Sequence, residues 1–220
     1  RENGDIMSYT VRSSEKLRKS GSEAETKALL YLMNFRMDSD KIYYFVVDFF
    51  NDLTGMDSMA SKLWDMQSKG AHNVGPNAIG KELVTLFKNY MSELSFEAYI
   101  LFVGSVTGSL RKDSSIDIFG RSNIKESAIE LIKKGLVVEG KAKEYIDNDT
   151  LTEKNIDDFL DKVLIVVDND RKPSEYVKAI IKNHPNIIPE EKILDAIFNE
   201  IRDKQAGKKN ASSVENIVIE

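Results

Sequence analysis

The chain has 220 residues, enough for one generous domain or one domain with a small helical extension. With 41% hydrophobic and 30% charged residues it has the makeup of a globular protein with a real core, and its lack of cysteine excludes disulfides and thiolate metal sites. A formal net charge of −5 excludes a uniformly basic, nucleic-acid-coating surface, so any such binding must be local or shared with other subunits or partners. No apolar run approaches the ~20 residues that span a bilayer, and Arg1 to Lys19 lacks the apolar stretch of a secretory signal, so a cytoplasmic location is expected.

Residues 1–22 read as a polar lead-in ending in Ser20-Gly21-Ser22, a helix start. From Glu23 onward Leu29, Leu30, Leu32, Met33 and Phe35 fall at helical spacing, and Met37 to Asp40 ends that helix. Ile42 to Phe50 is aromatic and β-branched, which predicts a buried strand. Asn51-Asp52 and Gly55 to Ser58 supply turn chemistry. Lys62 to Lys69 then alternates, with Trp64, Met66 and Ser68 on one side and Asp65, Gln67 and Lys69 on the other. The two stretches are expected to be adjacent antiparallel strands, a hairpin with one polar face.

A loop from Gly70 to Asn77 leads to a predicted helix over Ile79–Leu94. Glu97 to Val106 follows as a strand whose apolar run suits a sheet covered on both faces. Beyond a loop from Thr107 to Ser122, the stretch Asn123–Leu160 is charged and helix-rich. A strand over Lys162–Val167 and helices over Ser174–Asn183 and Glu190–Lys204 close the fold, without internal repeats. The order predicts an α/β fold with a small central mixed sheet flanked by helices. The expected organisation is a lead-in over 1–22, a core over 23–120, a helix-rich part over 121–206 packed on that core, and a loose tail over 207–220.

Chemistry concentrates between Asp48 and Lys69. Strand alternation puts Gln67 and Lys69 on one face, ~7 Å apart, and a partner strand can bring an Asp beside Gln67. A carboxylate and an amide carbonyl suit a hard cation such as Mg²⁺, and a neighbouring lysine can stabilise charge developing on a phosphoryl group. Asp48 and Asp52 share strand parity, so either could face the site. Pairing Asp48 with Gln67 centres the turn on Asp57-Ser58, whereas pairing Asp52 with Gln67 centres it near Met59-Ala60, a poorer turn. An alternating Asp-x-Gln-x-Lys is also what a solvated strand face looks like; the preceding acid-bearing hairpin and the following helix and strand weigh against that reading.

Asp52, followed by Asp65-Met66-Gln67-Ser68-Lys69 after an acid-bearing helix, resembles the PD-(D/E)XK, restriction-endonuclease-like superfamily in its variant with Gln for the second acid. More closely, it resembles the endonuclease domain fused to SAVED sensor modules in bacterial anti-phage effectors. The likeness covers roughly residues 20–110 and implies a restriction-endonuclease-like core with Mg²⁺ (or Mn²⁺)-dependent hydrolysis of DNA phosphodiesters. It also implies a setting in phage defence, with a sensor or ATPase as a possible partner. It favours Asp52 as the main metal ligand beside Gln67, with Asp48 second, Lys69 as the catalytic lysine and an acid from the first helix. Glu25 is assigned that last role, because it lies four residues before Leu29 on the stripe of Leu32 and Met33, whereas Glu23 stands nearer the helix start. Asn51 stands where the family usually has proline. A homo-oligomer is expected, since cutting both strands needs two sites and one acidic domain offers little positive surface.

Two other readings compete. Gly75-Pro-Asn-Ala-Ile-Gly80-Lys81 has the spacing of a phosphate-binding P-loop, and Val163 to Asp168 imitates an apolar strand ending in a metal-binding Asp. However, Glu82 replaces the Ser or Thr that would bind Mg²⁺ and would repel phosphates, and Pro76 removes an amide. The other is a catalytically weak or inactive nuclease-like binding module, for which Gln67 in place of an acid speaks. His72 and His184 lack metal-ligand companions, Trp64 reads as core, and Arg111-Lys112 and Lys208-Lys209 read as solvated charge.

Overall fold

The computed structural model describes residues 19–34, 36–181, 189–209 and 218–219. The chain runs through α1 (Lys19–Asn34), β1 (Tyr44–Val47), β2 (Leu53–Met56), β3 (Leu63–Lys69), α2 (Pro76–Glu82), α3 (Val84–Tyr90) and β4 (Phe96–Val103). It continues through β5 (Ile118–Phe119), α4 (Glu126–Lys141), α5 (Glu153–Leu160), β6 (Val163–Val167), α6 (Pro173–Ile181), α7 (Glu191–Lys209) and β7 (Val218–Ile219). The strands form one mixed seven-stranded sheet in the order β5-β6-β4-β3-β2-β1-β7. β1, β2 and β3 make an antiparallel meander, while β3, β4 and β6 run parallel through helical crossovers.

Helices cover both faces, which makes this an α/β fold. On one face Tyr99, Leu101 and Val103 of β4 pack with Ile79, Leu83 and Phe87 of the α2–α3 region and with Ile132 and Leu136 of α4. On the other, Ala98, Ile100 and Phe102 of the same strand join Trp64, Met66 and the leucines of α1, with Tyr176 of α6 and Phe198 of α7. The unbroken apolar run of β4 therefore has a plain cause: it is buried on both sides. β6, from the helix-rich C-terminal part, lies inside the sheet between β4 and β5, so the two parts of the chain share one sheet. Among the described residues no helix is long and apolar enough to cross a membrane.

Several elements differ from the sequence expectations. Ile42–Phe50 and Lys62–Lys69 are not neighbours: β2 runs between β1 and β3, so those two strands are parallel to each other. β2 was hidden by its glycine, and Gly55 is a strand residue. A Cβ there would meet Ile42 Cγ2 at 3.0 Å and Leu32 Cδ2 at 3.2 Å, so the glycine serves the close approach of the α1 region. The β1 strand covers only Tyr44–Val47 because Asp48 turns into a left-handed conformation (φ 55°) and its N–H donates to the Asp52 carbonyl, closing the β1–β2 turn. The single helix expected over Ile79–Leu94 is two short helices, α2 and α3, meeting at Leu83. The first helix starts at Lys19, inside the expected lead-in.

The glycines of the apparent phosphate loop have a packing role. Gly75 precedes α2, and Gly80 and Lys81 lie within that helix rather than in a loop. A Cβ on Gly80 would stand 2.0 Å from the Ile132 carbonyl oxygen, and one on Gly135 would stand 2.1 Å from that of Asn77. The α2 and α4 backbones thus touch directly, and no side chain fits between them. Gly80→Ala should lower unfolding free energy by ~3 kcal/mol, at the upper end for overpacking, against only the ~0.5–1 kcal/mol of helix propensity for Ala78→Gly at the exposed neighbouring position. Urea unfolding of both variants checks this; equal stability of Gly80→Ala and the parent would refute the contact.

Candidate active site

The site grows from a buried acid. Asp65 of β3 is wholly buried on the face covered by α3. Asn51 Nδ2 donates to both its oxygens at 2.8 and 2.9 Å, and Asn89 Nδ2 of α3 donates to Oδ2 at 2.7 Å. Burial pushes its carboxyl up to about 7, against the pull of those amides, and the nearby Lys88 and Asp52 charges act more weakly in opposite senses. The polar face expected for Lys62–Lys69 is therefore not a solvated one. Asp65 is core, Gln67 is half-buried and only Lys69 is exposed.

Asn51 carries Asp52 to its place. The β2–β3 register sets Leu53 opposite Met66, so Asp52 falls opposite Gln67. Asp52 Oδ2 accepts from Gln67 Nε2 at 3.1 Å, from the Ser68 amide at 2.8 Å and from Ser68 Oγ at 2.8 Å. On its other side, Gln67 Oε1 accepts from Thr85 Oγ1 of α3 at 3.3 Å. Lys69, two residues on, pairs with Glu82 at the end of α2 at 2.9 Å. Gln67 and Lys69 thus point to the same face, toward α3 and α2. This register needs the turn near Met59-Ala60, and Asp57 makes it work. Its carboxylate accepts the amides of Ser61 and Lys62 and the Ser61 hydroxyl, while Ala60 takes φ 52°.

Beside this group is a cleft of ≈250 Å³ lined by Gln67, Glu82, Thr85, Glu139, Lys143 and Tyr145, among others. Gln67 Oε1, which accepts from Thr85, and the Glu82 carboxylate are oxygen donors of its lining, and the Asp52 carboxylate stands on the amide-nitrogen side of Gln67; with the amide turned over, the three would be a hard set suited to Mg²⁺ or Mn²⁺. Among the described residues no group of three or more His, Cys, Asp or Glu is placed to hold a metal ion, so the amide is an essential member of any such set.

The other candidates fall elsewhere. Asp48 lies at the turn whose backbone closes onto Asp52, so it stands at the same sheet end. Glu25 does too, since α1 has its Lys27 at the carboxyl end of β6 and its Leu32 beside Gly55 of β2. The helix α1 that carries it covers the face of Trp64 and Met66, opposite to that of Gln67 and Lys69. Asp168 is no metal-binding Asp of a nucleotide site: it is buried, accepts Lys27 Nζ at 2.8 Å and Tyr176 Oη at 2.5 Å, and anchors α1 and α6 to β6. Burial, and then the neighbouring Asp168 charge, hold the Tyr176 phenol above its usual range. Exposed His72 pairs with Asp170 at 3.3 Å, Trp64 is core with its Nε1 donating to Asp38 at 2.9 Å, and Arg111 pairs with Asp117 at 3.2 Å. His184 and the side chains of Lys208 and Lys209 lie outside the described residues.

No family model, no curated protein and no solved structure matches this chain. The site is accordingly read from its own geometry. Sequence reasoning missed Asn51, Ser68, Glu82, Thr85 and Asn89 as its supports. Asn51 had one signal, its place before Asp52 where the resemblance expects proline; the structure uses its amide to hold Asp65.

The raised carboxyl of Asp65 makes stability pH-dependent. An unfolded Asp releases its proton near pH ~4, whereas in the fold Asp65 releases it near about 7, so between these values the folded state holds an extra proton. Stability from this residue therefore falls as pH rises from ~4 to about 7. Asp65→Asn removes the titration. The stability difference, parent minus variant, should fall as pH rises from about 5 to about 8 in denaturant titrations. A pH-independent difference would show that Asp65 is ionised throughout.

Proposed function

We propose that this chain is a divalent-metal-dependent nuclease domain that hydrolyses DNA phosphodiester bonds on a restriction-endonuclease-like core. The supporting observation is the juxtaposition of the Asp52 carboxylate and the Gln67 amide at 3.1 Å, with Lys69 on the same face of the same strand. The α-β-β-β-α-α-β order through β4, with β2 antiparallel to β1 and β3, is consistent with that core. The setting in anti-phage defence, with a sensor or ATPase partner and a homo-oligomeric state, is part of the proposal and rests on the sequence resemblance and the charge argument alone.

Asp52, the Gln67 carbonyl and Glu82 are the residues that would hold Mg²⁺ or Mn²⁺. When bound, such a cation supplies charge neutralisation at the phosphate and a more acidic water. Glu82 supplies the formal charge that Gln67 lacks. Ser68 fixes the Asp52 carboxylate through its amide and hydroxyl, so the acid is oriented before substrate arrives. Lys69 stands half-exposed in an ion pair with Glu82 at 2.9 Å, and a pair in that setting is worth only ~0–1 kcal/mol. Exchanging Glu82 for a phosphate oxygen therefore costs little, and Lys69 then stabilises charge on the transferred phosphoryl group. The same ion pair, and the lack of a three-acid cluster among the described residues, favour the second reading, a nuclease-like module without activity.

A plasmid-cleavage assay in Mg²⁺ and Mn²⁺ separates the two. Asp52→Asn should abolish cleavage and the thermal stabilisation by Mn²⁺. Lys69→Ala should cut the rate by ~10²-fold or more, the scale of one lost electrostatic group, while keeping the Mn²⁺ response. Glu82→Gln should raise the metal concentration needed for half-maximal rate. Absence of cleavage by the parent, or rates untouched by Asp52→Asn and Lys69→Ala, would leave the module reading.

A further inference from the structure

The cleft beside Gln67 reverses the charge balance of the chain. Its walls carry Lys81 and Lys143, and Lys69 and Lys88 stand at its margins through Glu82 and Tyr145. Against these four lysines stand Glu82, Glu139 and, bonded to Gln67, Asp52, which leaves an excess of one positive charge in a protein of net −5. Lys143 is 2.9 Å from Glu139, and exposed Lys81 makes no ion pair among the described residues.

An exposed aromatic ring completes the wall. Tyr145 is half-exposed, and Lys88 Nζ lies 5.6 Å from its ring centre. A cationic groove with an accessible aromatic ring is how proteins hold unpaired strands: phosphates lie on the lysines and a base stacks on the ring. A paired base inside a duplex offers no face for such stacking, so the ring favours a single strand. At ≈250 Å³ the cleft is smaller than the ~300–1,000 Å³ that encloses a whole small ligand, and fits one unit of a polymer lying across it.

We propose that this cleft is a subsite for a single strand of nucleic acid, with a base on Tyr145 and phosphates on Lys143 and Lys81, leading the strand to Gln67. The nuclease reading explains why a strand should be led there, and the proposal rests on it in that respect. Binding itself needs no catalysis.

The test is fluorescence anisotropy of a labelled oligothymidylate of about 15 nucleotides, titrated with the full chain in EDTA. The parent should bind it, and bind a duplex of equal length more weakly. Tyr145→Ala should weaken binding about tenfold or more, the scale of one lost stack, while Tyr145→Phe stays within about twofold. Lys143→Gln should weaken binding and flatten the salt slope by ~0.7, the value for one phosphate on a single strand. A matching oligouridylate should show the same loss with Tyr145→Ala, because it offers the same base face and phosphates. No binding by the parent, a preference for duplex, or Tyr145→Ala and Lys143→Gln both at parental affinity would overturn the subsite. Loss of cleavage in the parent with binding intact would refute only the nuclease reading.

Discussion

Asp65 is buried with three hydrogen bonds from two asparagine amides, and no cation is bonded to it among the described residues. Burying an acid this way costs free energy, which those amides offset only in part, as its raised carboxyl shows. What the acid gains is position. Asn51 is held from one side, which sets the entry into β2 and puts Asp52 opposite Gln67. Asn89 is held from the other, which fixes α3 against β3, and α3 carries the Thr85 that takes the Gln67 carbonyl. One carboxylate thus sets both halves of the Asp52–Gln67 pair, although it touches neither of those side chains.

The opposite face of the sheet repeats the device with a charge pair. Lys27 and Asp168 are both buried, and the lysine also donates to the Arg171 carbonyl at 2.6 Å. Here the counter-charge is present, so breaking one partner would strand a buried ion. The pair ties the middle of α1 to the end of β6, at the end of the sheet where Asp52 and Lys69 stand. Polar groups at that end are therefore held on both faces, while the apolar cores sit deeper.

Strand parity was the legible part of this site. Gln67 and Lys69 share a face because residues two apart in a strand must, and no tertiary information is needed for that. The partner strand was not legible. Leu53–Met56 is four residues long and contains Gly55, so its composition matches a turn; only the approach of Leu32 and Ile42 explains the glycine. Gly80 misled in the same manner, since its spacing copies a phosphate loop while its cause is the Ile132 backbone of a helix ~50 residues away. Long-range packing leaves no local periodicity behind it. The Met59-Ala60 turn looked poor for a different reason: its support is local but comes from the side chain of Asp57, two residues before Met59.

Gln67 is the residue on which the nuclease reading turns, and its amide has two orientations. With Nε2 toward Asp52, the carboxylate accepts a hydrogen bond and the carbonyl is left to Thr85. Holding a cation beside Asp52 requires Oε1 on that side, since an NH₂ group repels a metal ion. A threonine hydroxyl donates or accepts equally well, so Thr85 satisfies the amide in either state. A glutamate at this position would have no neutral state with Asp52: two carboxylates at hydrogen-bond distance repel unless a proton or a cation lies between them. Glutamine keeps the pair stable when the site is empty and weakens it for metal. On the nuclease reading, Glu82 at the cleft wall and the phosphate of the strand then supply the missing charge, so the metal and the substrate are bound together rather than in turn.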